Sequence, residues 1–256
     1  MSLIDLTGKV GLVTGGSRGI GAATVRLLAR AGAEGVFTYH QRAGDARKVA
    51  EDAAGLARRW TAFQADLAER DASDRAVREV VEGFGRLDIF VANAAIWPPE
   101  DVGVRDMTDD RWKRTLAVNL DAVFYGVRAA LREMGPGGRV VIVSSTAGQR
   151  GEAYHADYAA TKGAIISFVK SVAVEAAERG ILVNCVAPGW VDTEMSKVPY
   201  EAGGGAGKSE IERTIPLGRV ATAEEIAGPI VFLCSGLAGS VVGEVLNVNG
   251  GSVLCG

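Results

Sequence analysis

Short apolar runs rich in β-branched residues alternate along this chain with longer stretches in which apolar residues recur at helical spacing. The runs predict strands over 9–14, 35–39, 61–65, 87–92, 139–144, 181–186 and 245–248. The longer stretches predict helices over 19–31, 44–58, 70–84, 109–133, 157–178 and 223–235, the last announced by the capping-box spacing of Thr222-Ala-Glu-Glu225. Most of the strands are apolar throughout rather than alternating, the mark of strands covered by helices on both faces and therefore of a parallel sheet. The regular alternation of strand and helix predicts an α/β fold, a doubly wound, seven-stranded, mostly parallel sheet flanked by helices. No composition break or linker divides residues 1–256 into two domains.

One segment, 196–218, leaves this rhythm. It contains Gly203-Gly204-Gly205-Ala206-Gly207, too flexible to specify a strand or helix by itself. It follows the sixth strand at the carboxyl edge of the sheet, where ligands bind in such folds. The reading favoured is a mobile lid over a substrate, with an incidental loop as the alternative.

Composition narrows the function classes. The chain is 48% hydrophobic with 34 glycines, and its formal charge is −3 with no block of like sign. Nucleic acid and anionic membrane surfaces both call for a basic face, so neither is an expected partner. The N-terminus lacks the basic and apolar regions of a signal peptide, and no apolar stretch nears the roughly 18 residues of a membrane helix. A soluble, cytoplasmic protein is expected. Cys185, Cys234 and Cys255 are too few and too scattered for a disulfide framework or zinc site. His40 and His155 have no carboxylate cluster around them, and no metal is expected.

The first predicted strand runs into Thr14-Gly15-Gly16-Ser17-Arg18-Gly19-Ile20-Gly21 and then a helix. Glycines there permit a tight turn and a close approach of backbone amides to a pyrophosphate, to which the helix N-terminus adds partial positive charge. The second strand ends in Tyr39-His40-Gln41-Arg42, without the acid that would bind a ribose 2′-hydroxyl. Arg18 and Arg42 can instead pair with a 2′-phosphate, which favours NADP(H) over NAD(H); the alternative is that both are solvated surface charges. Asp66 and Asn93 follow the third and fourth strands, suited to hydrogen-bond a nucleotide or equally to form Asx turns.

Tyr158 and Lys162 stand four residues apart in a helical pattern and share a face. A nearby ammonium favours the phenolate and would lower a phenol pKa of about 10 toward neutrality. Ser144 and Ser145 end the fifth strand, where a hydroxyl can donate to a substrate carbonyl oxygen. Asn119 lies within a predicted helix among apolar neighbours, as a water-binding or backbone-bridging group or as a satisfied core amide. Trp97-Pro98-Pro99 and Trp190 can wall an apolar pocket or simply pack.

With these residues in order, the chain resembles the compact, one-domain branch of the short-chain dehydrogenase/reductase family. The likeness runs from about residue 9 to 251 and extends through Asn93-Ala94-Ala95, Pro188-Gly189 with Thr193, and Val248-Asn249-Gly250-Gly251. Ala95 departs from the family's usual glycine. The resemblance implies a Rossmann fold and a catalytic set of Asn119, Ser145, Tyr158 and Lys162. It implies cofactor contacts from Thr14, Gly15, Ser17, Arg18, Gly19, Ile20, Gly21, His40, Arg42, Asp66, Leu67, Asn93, Tyr158, Lys162, Pro188, Gly189, Val191 and Thr193. It further implies reversible hydride transfer between NADP(H) and a carbonyl or secondary alcohol. The motif order looks most like 3-oxoacyl-acyl-carrier-protein reductases, so the small-molecule substrate can be carrier-linked; a sugar, steroid, polyketide or small ketone, handled with NAD(H), is the alternative. A non-catalytic nucleotide sensor would not need Ser145, Tyr158 and Lys162 together, and a sugar-nucleotide epimerase would carry a longer region after the sheet. A homotetramer is expected, packed through the small residues Ala160, Gly163, Ala164, Ser167 and Ser171; the alternative is that this stripe faces the chain's own sheet.

Overall fold

A computed structural model describes residues 3–255. Its strands are β1 (Val10–Val13), β2 (Glu34–Tyr39), β3 (Trp60–Gln64), β4 (Ile89–Ala92), β5 (Arg139–Val143), β6 (Leu182–Pro188) and β7 (Val245–Val248). They form one sheet in the order β3-β2-β1-β4-β5-β6-β7, and every neighbouring pair is parallel. Parallel neighbours need crossover connections, so every strand ends on the same edge of the sheet. The chain winds outward from β1 to β3, then crosses back to β4 on the other side of β1. That reversal opens a crevice at the carboxyl edge between β1 and β4.

The period-two pleat sorts the apolar residues onto the two faces. Val13, Phe37, Ile89, Val141 and Val186 point to one side, where α1 (Gly19–Arg30), α2 (Ala43–Ala54) and α9 (Ala223–Cys234) cover them with Val25, Leu28, Val49, Ile226 and Ile230. Leu12, Val36, Phe90, Val140, Ile142 and Cys185 point to the other, against α3 (Ala72–Phe84), α5 (Ala122–Glu133) and α7 (Ala156–Ala177). Thr222 and Glu225 make the reciprocal capping box at the start of α9.

Three departures from the sequence reading bear on the site. The helix expected over 109–133 is α4 (Asp109–Leu116) and α5 joined by a π-helical turn, Ala117–Asp121, with Asn119 at its centre. A short helix, α6 (Thr146–Arg150), fills the connection after β5. The segment 196–218, expected as a glycine-rich loop, instead forms a 3-10 turn at Glu194–Ser196 followed by α8 (Lys197–Arg213). Packing overrides local propensity here: Tyr200, Ile215 and Val220 are buried together with Trp190 and Ile211, a stripe that anchors both ends of α8. Pro199 falls in the helix's first turn, where its missing N–H costs nothing.

Candidate functional site

The glycine turn is built by close packing. Thr14 N–H donates to Val91 O (2.9 Å) and Gly16 N–H to Thr38 O (2.8 Å), so the turn hangs from both strands beside β1. Gly15 and Gly19 have φ of +67° and +51°, the left-handed region glycine adopts without strain. A Cβ on Gly21 would overlap the Gly15 carbonyl oxygen and lie 2.6 Å from Asn93 Nδ2. The first turn of α1 therefore rests directly on the loop. Arg18, its N-cap, supplies no side-chain hydrogen bond, and the first turn contains no acid. The leading amides are thus left for an anion. Gly15, Ser17, Arg18, Gly19, Ile20 and Gly21 all line a cleft of about 570 Å³, a volume typical of small-molecule sites.

Thr14 is not on the cleft wall. Its hydroxyl accepts from Asn93 N (2.9 Å) and Ala94 N (3.0 Å), while Asn93 Nδ2 donates to Thr14 O (2.9 Å) and Gly15 O (3.2 Å). These bonds tie the turn after β1 to the segment after β4 across the crevice. Thr14 therefore shapes the cradle through Asn93 rather than lining it. Ala95 lines the cleft beside Asn93 and Ala94.

One end of the cleft is bounded by Arg18, His40, Arg42, Asp66 and Leu67. Asp66 forms an Asx turn with Ala68 N (3.0 Å) and pairs with Arg114 (3.3 Å) and His40 (3.7 Å). Partial burial opposes ionisation, but the Ala68 N–H, Arg114 and His40 together hold its carboxyl below the usual range. Its charge is matched within the chain. Arg42 touches Asp45 at 3.6 Å with both side chains half exposed, a weak pairing. Among the described residues Arg18 pairs with no carboxylate, and this rim is cationic.

The other half of the cleft carries Ser145, Tyr158 and Lys162. Ser145 caps α6, its hydroxyl accepting from Ala147 N (3.1 Å), and Ser144 Oγ donates to Lys162 O (2.7 Å). A Cβ on Gly148 would lie 2.6 Å from Lys162 O, so α6 is pressed against the backbone of α7. That contact brings Ser145 up to the face that presents Tyr158 and Lys162.

Lys162 is 2% exposed; Nζ donates to Val143 O (2.8 Å) and lies 5.6 Å from the centroid of the Tyr158 ring. Burial pushes its pKa down to about 8. Burial likewise pushes the Tyr158 phenol up to about 12, the Ser145 hydroxyl pulling against it and Glu152 adding to it. Against the expected lowering, the net shift of the phenol is upward in the chain on its own, and Lys162 is not among the groups that set it. Its ammonium is bound to a carbonyl rather than to the phenolic oxygen, and desolvation of the ring's hydroxyl wins.

Asn119 is fully buried and off the cleft wall, which its neighbour Val118 reaches. Its Oδ1 accepts from Ile96 N and its Nδ2 donates to Ile96 O, both at 2.8 Å. It is a backbone bridge, fixing the segment from Asn93 to Trp97. The π turn that offsets Asn119 from regular helical register is a feature often found at functional sites.

Pro188, Gly189, Val191 and Thr193 line the cleft opposite the glycine turn. A Cβ on Gly189 would lie 3.0 Å from that of Asn249, and one on Gly19 would lie 3.3 Å from Thr193 Cγ2. The exit of β6 therefore closes over both.

Trp97 and Trp190, expected to wall a pocket or to pack, both line the cleft, whereas sequence reasoning missed Glu152 and Asp157. Trp97 stacks on the buried His155 (centroids 4.4 Å, 13°) and meets Trp190 edge-on (6.3 Å). Glu152 lines the cleft and its Oε2 accepts from Trp97 Nε1 (3.4 Å). Burial raises its pKa, against the fields of His155 and Arg150. Its place in the chain between Ser145 and Tyr158 was the available signal. Asp157 is fully buried and accepts from Thr115 Oγ1 (2.8 Å) and Arg111 Nε (3.1 Å), locking the start of α7 to α4. On α7, Ala160, Ser167 and Ser171 are exposed and Ala164 half-buried, while Gly163 approaches Gly148. Most of that stripe faces away from the sheet.

Among the described residues no helix is long and apolar enough to cross a membrane. A family profile described as enoyl-(acyl carrier protein) reductase matches residues 15–252. The chain is 38% identical to the short-chain dehydrogenase/reductase FrzI of Cladobotryum sp. over 98% of its own length and 97% of the relative's. It is also 38% identical to a 3-oxoacyl-acyl-carrier-protein reductase of Aquifex aeolicus, over 97% and 98% respectively. A crystal structure of a short-chain dehydrogenase from Burkholderia cenocepacia in complex with NADP superposes with a TM-score of 0.90 at 38% identity, covering 96% of this chain and 98% of that one.

Proposed function

This chain belongs to the short-chain dehydrogenase/reductase family, and from that premise we propose that it is an NADP(H)-dependent oxidoreductase interconverting a carbonyl and a secondary alcohol. The observation that carries the reading is one continuous cleft with an anion-binding glycine turn at one end and Ser145, Tyr158 and Lys162 at the other. The residues fit the cofactor: a cradle in which the Gly21 position has no room for a Cβ, uncapped amides for a pyrophosphate, and a cationic rim at Arg18 and Arg42 for a 2′-phosphate. The relative crystallised with NADP supports the same choice.

The cofactor's contribution when bound is the hydride; the remaining chemistry falls to this chain. Tyr158 gives its phenolic proton to the substrate oxygen during reduction and takes it back during oxidation. Ser145 donates to the same oxygen and holds it beside the phenol. A buried phenol at about 12 is a poor donor by itself. Lys162 supplies a positive charge that favours the phenolate as the proton leaves. Asn119 acts at one remove, holding the Ile96 backbone that shapes the wall. α8 sits after β6 as the lid of this reading, anchored rather than loose. The relatives' names make a 3-oxoacyl thioester the first substrate class to assay. The exposed small residues of α7 support a homotetramer, for which light scattering is the check.

The test is NADPH oxidation at 340 nm against a panel of carbonyls, with Tyr158→Phe alongside. The variant should fold and lose roughly 10²–10⁴-fold in turnover. Near-normal turnover by the phenylalanine protein would overturn the assignment.

A further inference from the structure

Glu152 has no part in proton transfer to the substrate oxygen, yet it lines the cleft with Ser145, Tyr158 and Lys162, while the other lining glutamate, Glu194, lies beside Gly19. Its loop is tightly specified. Gly151 and Tyr154 hold φ of +78° and +66°, and Tyr154 O accepts from Val102 N (3.1 Å). A tyrosine in the left-handed region persists only where its surroundings fix it. The side chain is held as well, because Trp97 Nε1 donates to Oε2, and Trp97 is itself clamped face-to-face on His155. Among the described residues Oε1 accepts from no donor. The carboxylate is close enough to Tyr158 for its field to oppose ionisation of the phenol. Glu152 also lines the same cleft as Ser145 and Tyr158, so its carboxylate faces the space a substrate would fill.

We propose that Glu152 is a specificity-determining residue that accepts a hydrogen bond from a hydroxyl beside the reacting carbonyl, selecting hydroxy-carbonyl substrates or the corresponding diols. This rests on the oxidoreductase reading above and narrows it. A neutral donor fits better than a cation, since His155 and Arg150 already bias the site positive toward Glu152. A 3-oxoacyl thioester would bring a second carbonyl, another acceptor, toward this carboxylate. A site built to bond a substrate hydroxyl discriminates against the analogue that lacks it, because that analogue displaces solvent from the half-buried carboxylate and gives no donor in return.

The experiment compares kcat/KM for 2-hydroxycyclohexanone and cyclohexanone with NADPH, in the wild type, Glu152→Ala, Glu152→Gln and Trp97→Phe. The wild type should prefer the hydroxyketone by roughly 10-fold or more, as expected for a hydrogen bond to a charged acceptor. Glu152→Ala should bring the ratio close to one, mainly through KM. Glu152→Gln, isosteric and still an acceptor, should keep part of it. Trp97→Phe, which removes the donor that holds Oε2 but keeps the carboxylate and the ring, should lower the preference without abolishing it. An unchanged ratio in Glu152→Ala, no preference in the wild type, or equal loss in Trp97→Phe would each overturn the inference while the reductase reading stands. A wild-type protein that oxidises NADPH with no carbonyl would bring down both.

Discussion

Replacing Lys162 with methionine should abolish turnover yet make the protein more stable at neutral pH. The ammonium is almost wholly enclosed, and burial lowers its pKa from 10.5 to about 8. At about 1.4 kcal/mol per pH unit, keeping that charge buried at pH 7 costs about 3 kcal/mol relative to the unfolded chain. Methionine fills similar space without charge. It also forfeits the bond to Val143 O, a loss of about 1.5 kcal/mol. The net is a gain of about 2 kcal/mol, or roughly 4–8 °C in Tm for a domain of this size. Between pH 8 and 10.5 the unfolded lysine keeps a proton that the folded one has lost, so wild-type stability rises with pH across that window and falls as pH drops back through it. The advantage of Lys162→Met should therefore be full below pH 8, shrink above it, cross zero about 1.5 units higher, and be largely reversed by about 10.5. Urea unfolding at fixed protein concentration, without nucleotide, at pH 7 and pH 10.5 measures this. A methionine variant less stable than wild type at pH 7, or a difference unaffected by pH, would refute the reasoning.

Gly21→Ala forces a Cβ onto the Gly15 carbonyl; it should raise the KM for NADPH sharply and cost about 1–3 kcal/mol in urea unfolding, and unchanged nucleotide affinity would count against the cradle. The double variant Arg18→Ala, Arg42→Ala should lose most of its preference for NADPH over NADH, about tenfold for each charge-assisted contact removed; a ratio equal to wild type would mean the rim does not meet a 2′-phosphate. Asn119→Ala strips both hydrogen bonds from the Ile96 backbone, and about 2–4 kcal/mol of stability should go with them. A loss under about 0.5 kcal/mol would show that the bridge contributes little.

The sheet was legible because its signal is repeated. Each strand is an apolar run and each crossover a helical pattern, so misplacing an end by a residue or two left the topology intact. The site residues were legible where chemistry required a rare combination, as at the glycine turn and the Tyr158–Lys162 pair. What escaped depended on contacts between distant segments. The glycines near 203–207 argue locally against a helix, and only the burial of Tyr200 with Ile215 and Val220 makes α8 form. Nothing near Asn119 announces a π turn whose partner is Ile96. The i,i+4 spacing placed Lys162 and Tyr158 on one face but could not show that Lys162 is bonded to Val143 O, in the strand below. The Thr14 bond is hidden for the same reason, since its hydroxyl accepts from Asn93, a residue on the far side of the switch in strand order.

That last contact has a consequence for how the protein comes into being. The first three strands and their helices are local and can form early, but the cradle they contain is incomplete until β4 arrives beside β1, Val13 opposite Val91. Joining segments so far apart in sequence means closing a long loop before any contact rewards it, a slow step in folding. An emerging chain that has not yet reached β4 would thus hold the glycine turn without the Asn93 brace, and would bind nucleotide poorly. Affinity for the dinucleotide then becomes a marker of finished folding: the ligand stabilises only chains in which the two windings of the sheet have met, and it draws late folding intermediates toward the native state by mass action.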